Sequence, residues 1–180
     1  MADVMMLPGA QTQARKIKLL IMDVDGVLSD GGIFISAEGE AFKRFDIKDG
    51  LGISLWHRMG FKTAIITGRS SAIVEKRAAE LGISEVRQGQ SNKRIAYAEL
   101  KRELGLTDEE IAYIGDDLID LPVLQQAGLA VAVADAAPEA KLMSHYVTAH
   151  NGGHGAVRET VEFMLRAKKL WDDAVASYFA

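Results

Sequence analysis

A run of four apolar residues, Leu19-Leu20-Ile21-Met22, ends abruptly at Asp23-Val24-Asp25-Gly26. A short, unbroken apolar run bounded in this way reads as a buried strand. Asp23 and Asp25 are two positions apart, so on an extended backbone both side chains leave on the same face. Two carboxylates crowded at a strand end repel each other unless a cation sits between them. In an open parallel sheet, the carboxyl end of a strand is also where ligands bind.

The rest of the chain repeats the strand pattern. Apolar runs read as strands at 18–24, 61–66, 85–87, 111–114, 129–133 and 145–147. Helix-period segments fall between them at 49–59 (ended by Gly60), 70–81 (ended by Gly82), 91–104 with Ser91 as N-cap, and 118–126 (ended by Gly128). A short helix near Pro138 and a long one over 155–169 complete the series, the latter with Val157, Val161, Met164 and Leu165 at core spacing. Thr107-Asp108-Glu109-Glu110 fits a capping box, but the next strand follows so closely that only one helical turn fits. Segments 31–36 and 40–45 alternate apolar and polar residues around Ala37-Glu38-Gly39, the pattern of a β-hairpin. Strands alternating with helices at this spacing predict an α/β fold with a parallel sheet and right-handed crossovers.

At 180 residues, 48% of them hydrophobic, the chain suits one domain with a sizeable core. The net charge is −4 and no basic stripe stands ready to neutralise phosphates, which argues against nucleic acid as a main partner. No apolar run approaches the roughly 20 residues that span a bilayer, and residues 1–16 lack the apolar core of a signal peptide, so no membrane association is expected. There is no cysteine, hence no disulfide framework and no thiolate metal site, which fits a cytoplasmic protein.

Four polar groups fall where strands end. They are Asp23-Val24-Asp25-Gly26, then Thr67-Gly68-Arg69, then Lys93 in the first turn of a helix, then Gly115-Asp116-Asp117-Leu118-Ile119-Asp120. In a parallel sheet all four converge on one rim. Each suits phosphoryl transfer, where catalysis is mostly positioning and charge stabilisation. An aspartate nucleophile splits one hard displacement into two easier ones. A second carboxylic acid protonates the leaving oxygen and then deprotonates the attacking water. A hydroxyl, a backbone N–H and a lysine at a helix N-terminus hold phosphoryl oxygens. Further carboxylates complete an oxygen-only shell for Mg²⁺.

In this order the motifs Asp-x-Asp-Gly-Val, Thr-Gly-Arg, Lys and Gly-Asp-Asp-x-x-Asp resemble those of the haloacid dehalogenase (HAD) superfamily of phosphatases. The resemblance narrows to its 3-deoxy-D-manno-octulosonate 8-phosphate phosphatases, a subclass without a cap domain. It does so through Asp23–Gly31, Asp46-Ile47-Lys48-Asp49-Gly50, Gln88-Gly89-Gln90-Ser91-Asn92-Lys93, the stretch from Tyr113 to Val123, and Gly152-Gly153-His154-Gly155-Ala156-Val157-Arg158-Glu159. That family commonly has a basic residue where His154 stands.

The resemblance implies a Rossmann-like, doubly wound parallel sheet with a β-hairpin after the first strand. One domain is expected over 17–170, with an N-terminal extension at 1–16 and a C-terminal tail at 171–180. By resemblance, Asp23 is the nucleophile and Asp25 the general acid/base; Thr67, Gly68 and Lys93 hold the phosphate. Mg²⁺ is held by Asp23, the Asp25 carbonyl and Asp116, and Asp117 and Asp120 orient the groups around it. Arg69 is a candidate for the substrate carboxylate, which a guanidinium binds bidentately. The implied reaction releases the free sugar acid for lipopolysaccharide assembly.

Only 41 positions separate Asp25 from Thr67, and 25 separate Thr67 from Lys93, too few for a cap domain. A subunit interface is another way to shield such a site. The resemblance implies a homotetramer in which the hairpins meet, and the alternative is a hairpin that lies on its own domain. Alternative functions are the same chemistry on a nonulosonate 9-phosphate, a non-catalytic HAD-like oligomerisation module, and a phosphorylated receiver. Asp120 has a second reading as a stabiliser of the helix near Leu118. Asp30, Lys48 and Asp49 are candidates for substrate contacts or turn residues, and His154 for a phosphate or sugar contact or a loop residue. His57 and His145 read as ordinary surface or core histidines. The tail from Trp171 reads as either disordered or docked on a neighbouring chain.

Overall fold

The computed structural model describes residues 6–179, and the apolar run 19–22 lies at the centre of its sheet. In chain order the elements are α1 (Ala10–Lys16), β1 (Leu19–Met22), β2 (Phe34–Ser36), β3 (Gly39–Phe42), α2 (Ile47–Arg58), β4 (Lys62–Ile66), α3 (Ala72–Glu80) and β5 (Glu85–Arg87). There follow α4 (Lys93–Glu103), β6 (Ile111–Gly115), α5 (Leu121–Leu124), β7 (Leu129–Ala132), α6 (Pro138–Met143), β8 (Tyr146–Val147), α7 (Ala156–Ala167) and α8 (Trp171–Ala176). Six strands form a parallel sheet in the order β5-β4-β1-β6-β7-β8, and β2 and β3 form a separate antiparallel hairpin. Every residue of β1 and β7 is buried, as expected for strands covered on both faces. The connections after β1 and β4 hold only the hairpin with α2, and α3, so the described residues contain no cap domain.

Helices cover the sheet in two groups. α7 packs against α1, α2 and α8, while α4, α5 and α6 pack side by side. The stripe Val157, Val161, Met164 and Leu165 is fully buried, and Ala10 and Ala14 of α1 lie buried with it. The segment before residue 17 therefore contributes a packed helix. The segment from Trp171 docks on its own chain: Ala174 is buried, and the Arg166 guanidinium stacks over the Trp171 ring at 4.7 Å.

Local boundaries differ from expectation for physical reasons. α2 begins at Ile47 because the Asp46 side chain accepts from the Lys48 N–H at 2.7 Å. α4 is capped by Asn92, which accepts from the Arg94 N–H at 3.2 Å, and not by Ser91. The single helix expected over 118–126 is a 3₁₀ turn at Leu118–Asp120 followed by α5. Asp120 folds back onto the Asp116 and Asp117 N–H groups and tightens the turn, and Pro122 starts the α-helix. Asp49 is buried on α2 and accepts from the Arg158 N–H at 2.7 Å and the Gly155 N–H at 3.3 Å, capping α7 from a distant part of the chain. Burial pushes its carboxyl up to about 6, against the pull of these backbone donors.

Glu159 holds the loop after β8. Its carboxylate accepts from the Ala149 N–H at 2.8 Å, the His150 N–H at 3.0 Å and the Tyr146 hydroxyl at 2.6 Å. Burial raises its pKa, but Tyr146 and these donors outweigh it and hold the group below its ordinary value. Charge-assisted bonds of this kind contribute about 1.5–3 kcal/mol. Glu159→Gln is therefore expected to cost about 2 kcal/mol in urea unfolding at pH 7. A carboxyl lowered in the fold stabilises above its unfolded pKa, and that stability is lost as pH falls through the folded one. The gap between wild type and variant should accordingly close below the ordinary glutamate range.

Candidate active site

The chain runs from β1 to β4 and β5 on one side of the sheet, then crosses to β6, β7 and β8 on the other. The carboxyl ends of β1 and β6 therefore flank the point where strand order reverses, where a crevice opens. Parallel pairing of Met22 with Ile114 sets Asp23 beside Gly115-Asp116. Past Asp23 the backbone makes a wide turn, closed by the Ser29 N–H donating to the Val24 carbonyl at 2.9 Å. Gly26 takes φ +89° in this turn, and a Cβ there would stand 2.1 Å from Asp116 Oδ2, so only glycine fits. The turn is backed by the loop before α7: the Gly153 N–H donates to the Val27 carbonyl at 2.8 Å, and Gly152 lies directly against Gly26.

A buried charge network sits under the crevice. Asp23 Oδ1 accepts from the Val24 N–H at 2.7 Å, and Oδ2 pairs with the Lys93 ammonium at 2.7 Å. Lys93, fully buried, reaches Asp120 Oδ1 at 2.7 Å on its other side. The Tyr113 hydroxyl donates to the same Asp120 oxygen at 2.5 Å. Asp120 Oδ2 accepts from the Asp116 N–H at 2.8 Å and the Asp117 N–H at 3.2 Å. Four donors thus occupy the acceptor capacity of Asp120, making it an anchor for Lys93 and for the 116–117 backbone.

Oxygens of Asp23, Asp116 and Asp120 lie within 4.8 Å of one another. Burial pushes the Asp23 carboxyl up to about 6, with Lys93 pulling it down and Asp120 pushing it further up. Burial, then Asp120 and Asp23, push Asp116 up to about 8. Burial opposes the charge on Lys93, but Asp23 and Asp120 prevail and raise its pKa. Among the described residues nothing donates to the Asp116 carboxylate. A hard divalent cation with oxygen ligands would relieve this crowding, so the donor set fits Mg²⁺.

The remaining candidates line the rim. Thr67 is buried just past β4, its carbonyl accepting from the Gln90 N–H at 3.0 Å, and Gly68 follows it. Arg69 is half exposed, with Nε 3.9 Å from Asp25 Oδ2. Asp117 turns its carboxylate away to cap the 3₁₀ turn, accepting from the Leu118 N–H at 2.7 Å. Asp30 Oδ1 accepts from the Gly32 N–H at 3.1 Å, which is a turn contact, and Lys48 is exposed. The His154 ring lies against the Gly152 carbonyl at 2.8 Å and Arg44 at 3.2 Å. His57 and His145 pair with Thr63 and the Ala130 N–H, away from the crevice.

Three residues of the site escaped the sequence reading. Tyr113 looked like one more core residue of a buried strand. Lys43 and Glu40 looked like the polar face of an exposed hairpin, yet the Lys43 ammonium is buried between Asp25 Oδ1 (2.5 Å) and Glu40 Oε1 (2.9 Å). A lysine inside a hairpin segment carries no local signal of burial.

Known proteins match this geometry closely. The sequence model of a family described as haloacid dehalogenase-like hydrolase matches residues 79–159. The chain is 49% identical to the 3-deoxy-D-manno-octulosonate 8-phosphate phosphatase KdsC of Salmonella typhimurium, over 93% of this chain and 89% of that one. The crystal structure of the phosphatase of that name from Yersinia pestis superposes with a TM-score of 0.89 at 48% identity, covering 92% of this chain and 89% of that one. The one from Moraxella catarrhalis, solved in complex with a magnesium ion, a phosphate ion and a KDO molecule, gives a TM-score of 0.91 at 44% identity, covering 94% of this chain and 97% of that one. Identity at this level across nearly the whole length means that the chain belongs to the 3-deoxy-D-manno-octulosonate 8-phosphate phosphatases of the haloacid dehalogenase superfamily.

Proposed function

We propose that this chain hydrolyses 3-deoxy-D-manno-octulosonate 8-phosphate to the free sugar acid and inorganic phosphate, with Mg²⁺, as a step of lipopolysaccharide biosynthesis. The observation that carries this reading is the buried Asp23 carboxylate at the end of the central strand, braced by Lys93 and crowded by Asp116. Asp23 attacks phosphorus, forming a carboxylate–phosphorus bond as the ester oxygen leaves. Asp25, two residues on, gives that oxygen its proton. It then takes a proton from the water that attacks the aspartyl phosphate, which frees Asp23 and releases phosphate. Thr67, Gly68 and Lys93 hold the phosphoryl oxygens, and Arg69 at the rim faces the sugar acid. Asp23, Asp116 and the Asp25 carbonyl would hold Mg²⁺, which shields the attacking carboxylate from the substrate's negative charge. Asp120 keeps Lys93 and the Asp116 backbone in place, and Asp117 fixes the following turn.

All residues invoked lie within 17–170, which we take as the catalytic domain, with 1–16 and 171–180 flanking it. Residues 1–5 and 180 lie outside the described residues. The proposal includes a homotetramer built through the hairpins. Ile33, Phe34, Ile35 and Phe42 are exposed there, with the two phenylalanine rings stacked at 4.1 Å, an apolar surface suited to a second copy. Among the described residues no helix is long and apolar enough to cross a membrane. A cytoplasmic location is part of the same reading, since a chain without cysteine fits a reducing compartment.

Phosphate release from the octulosonate 8-phosphate and from a nonulosonate 9-phosphate, measured in parallel with Mg²⁺, tests the reading. The octulosonate is expected to be preferred by at least about tenfold, the discrimination that pocket shape supplies for small changes in a substrate. Chelating the metal with EDTA should cut the rate by about 10²-fold or more, as metal ions supply several kcal/mol of charge stabilisation. Preference for the nonulosonate would keep the chemistry and remove the substrate. No turnover of either would favour a non-catalytic module.

A further inference from the structure

We propose that Lys43 is a positioning residue that aims the Asp25 carboxylate at the reacting oxygen; this rests on the phosphatase reading above. Asp25 sits in the turn after β1, outside the sheet, where no strand pairing fixes it. Its side-chain orientation is therefore set by its partners. One carboxylate oxygen is gripped by the Lys43 ammonium, whose side chain is only 1% exposed, while the other faces Arg69 at 3.9 Å.

Lys43 is itself braced. The Glu40 Oε1 carboxylate oxygen forms an ion pair with it at 2.9 Å, and the Ser71 hydroxyl donates to Glu40 Oε2. The Ser71 N–H in turn donates to Gln88 Oε1 at 2.8 Å, and Ser71 caps α3. A relay of polar contacts thus runs from Asp25 through the hairpin to the start of α3. Burying an ammonium is unfavourable unless it is fully paired, and an apolar residue of similar volume would stabilise a fold at least as well. The phosphate already has its lysine in Lys93. What Lys43 uniquely supplies is a fixed place for one oxygen of Asp25, which leaves the other to exchange protons with substrate. Misplacing a reacting group by about 1 Å can cost about 10²-fold in rate.

The test is a double-mutant cycle. Lys43→Met is made in wild type and in an Asp25→Asn background, with melting curves to confirm folding. Rates are read on the octulosonate 8-phosphate and on p-nitrophenyl phosphate, whose leaving group needs no proton. In wild type, Lys43→Met is expected to lower kcat on the octulosonate by about 30–100-fold, with KM within about threefold. The loss in kcat/KM on p-nitrophenyl phosphate should be under about fivefold. In the Asp25→Asn background the second change should cost less than about twofold, because a residue acting through Asp25 has nothing left to position. Glu40→Gln, which leaves the ammonium in place but loosens its brace, should show a smaller loss of the same pattern. Equal losses on both substrates that persist beside Asp25→Asn would make Lys43 merely structural. A loss confined to KM would make it a substrate contact. Either result overturns the proposal. A folded wild type inactive on both substrates would instead remove the phosphatase reading, and this inference with it.

Discussion

Asp23→Asn is expected to lower phosphate release by at least about 10⁴-fold, because an amide oxygen is a poor nucleophile and the remaining groups only bind and polarise. The substitution is nearly isosteric, and its structural effect should be opposite in sign. The side-chain oxygen still accepts from the Val24 N–H, and Lys93 keeps its contact with Asp120. Burial raises the Asp23 carboxyl to about 6, so its ionised form at neutral pH works against folding. Without added Mg²⁺, the variant should melt at or above the wild-type temperature at pH 7.5, and the difference should shrink as pH falls through about 6 and be gone below the ordinary aspartate range. Activity lost together with stability would mean that Asp23 is a structural anchor. The paired measurement, phosphate release beside a melting curve, separates the two.

Gly152→Ala is expected to damage both fold and activity from outside the charge network. A Cβ on Gly152 would lie 1.7 Å from the Gly26 carbonyl oxygen and 2.5 Å from its carbon. Both partners are backbone, so no rotamer change relieves the overlap. Either the loop before α7 or the turn after Asp23 must move. Overpacking at backbone is at the severe end of single substitutions, about 3 kcal/mol or more. If the turn yields, Asp25 and the approach of Gly26 to Asp116 shift with it, and kcat should fall by about 10²-fold even in the folded fraction. Urea unfolding and phosphate release under native conditions report the two losses separately. Wild-type stability in the variant would show that the loop does not brace the turn.

What was legible in the sequence was local. Asp23 and Asp116 stand directly after the strand runs that end at Met22 and Gly115, Asp25 and Asp120 follow two and four residues on, and strand order then brings them together. The hairpin announced itself by alternation on both sides of Ala37-Glu38-Gly39. What was illegible depended on distant partners. Asp49 read as a turn or substrate contact, yet it caps α7 through Gly155 and Arg158, more than a hundred residues on. Lys43 and Tyr113 carry no mark of their role until Asp25 and Asp120 are placed beside them. Adjacent capping residues such as Ser91 and Asn92 compete closely, and only the folded backbone decides between them.

The place of β1 has a consequence for how the protein is made. This strand leaves the ribosome before both of its neighbours, and its edges are sealed only when β4 and then β6 have followed. Until β4 emerges the unbroken apolar strand has two open edges, and until β6 it has one, the condition under which nascent chains aggregate. Its flanks are charged, with Lys16 and Lys18 before it and Asp23 and Asp25 after it. Charges so placed act as gatekeepers against pairing with another chain. The carboxylates at the end of β1 thus serve the protein before its site exists, keeping the strand single until its own partners arrive.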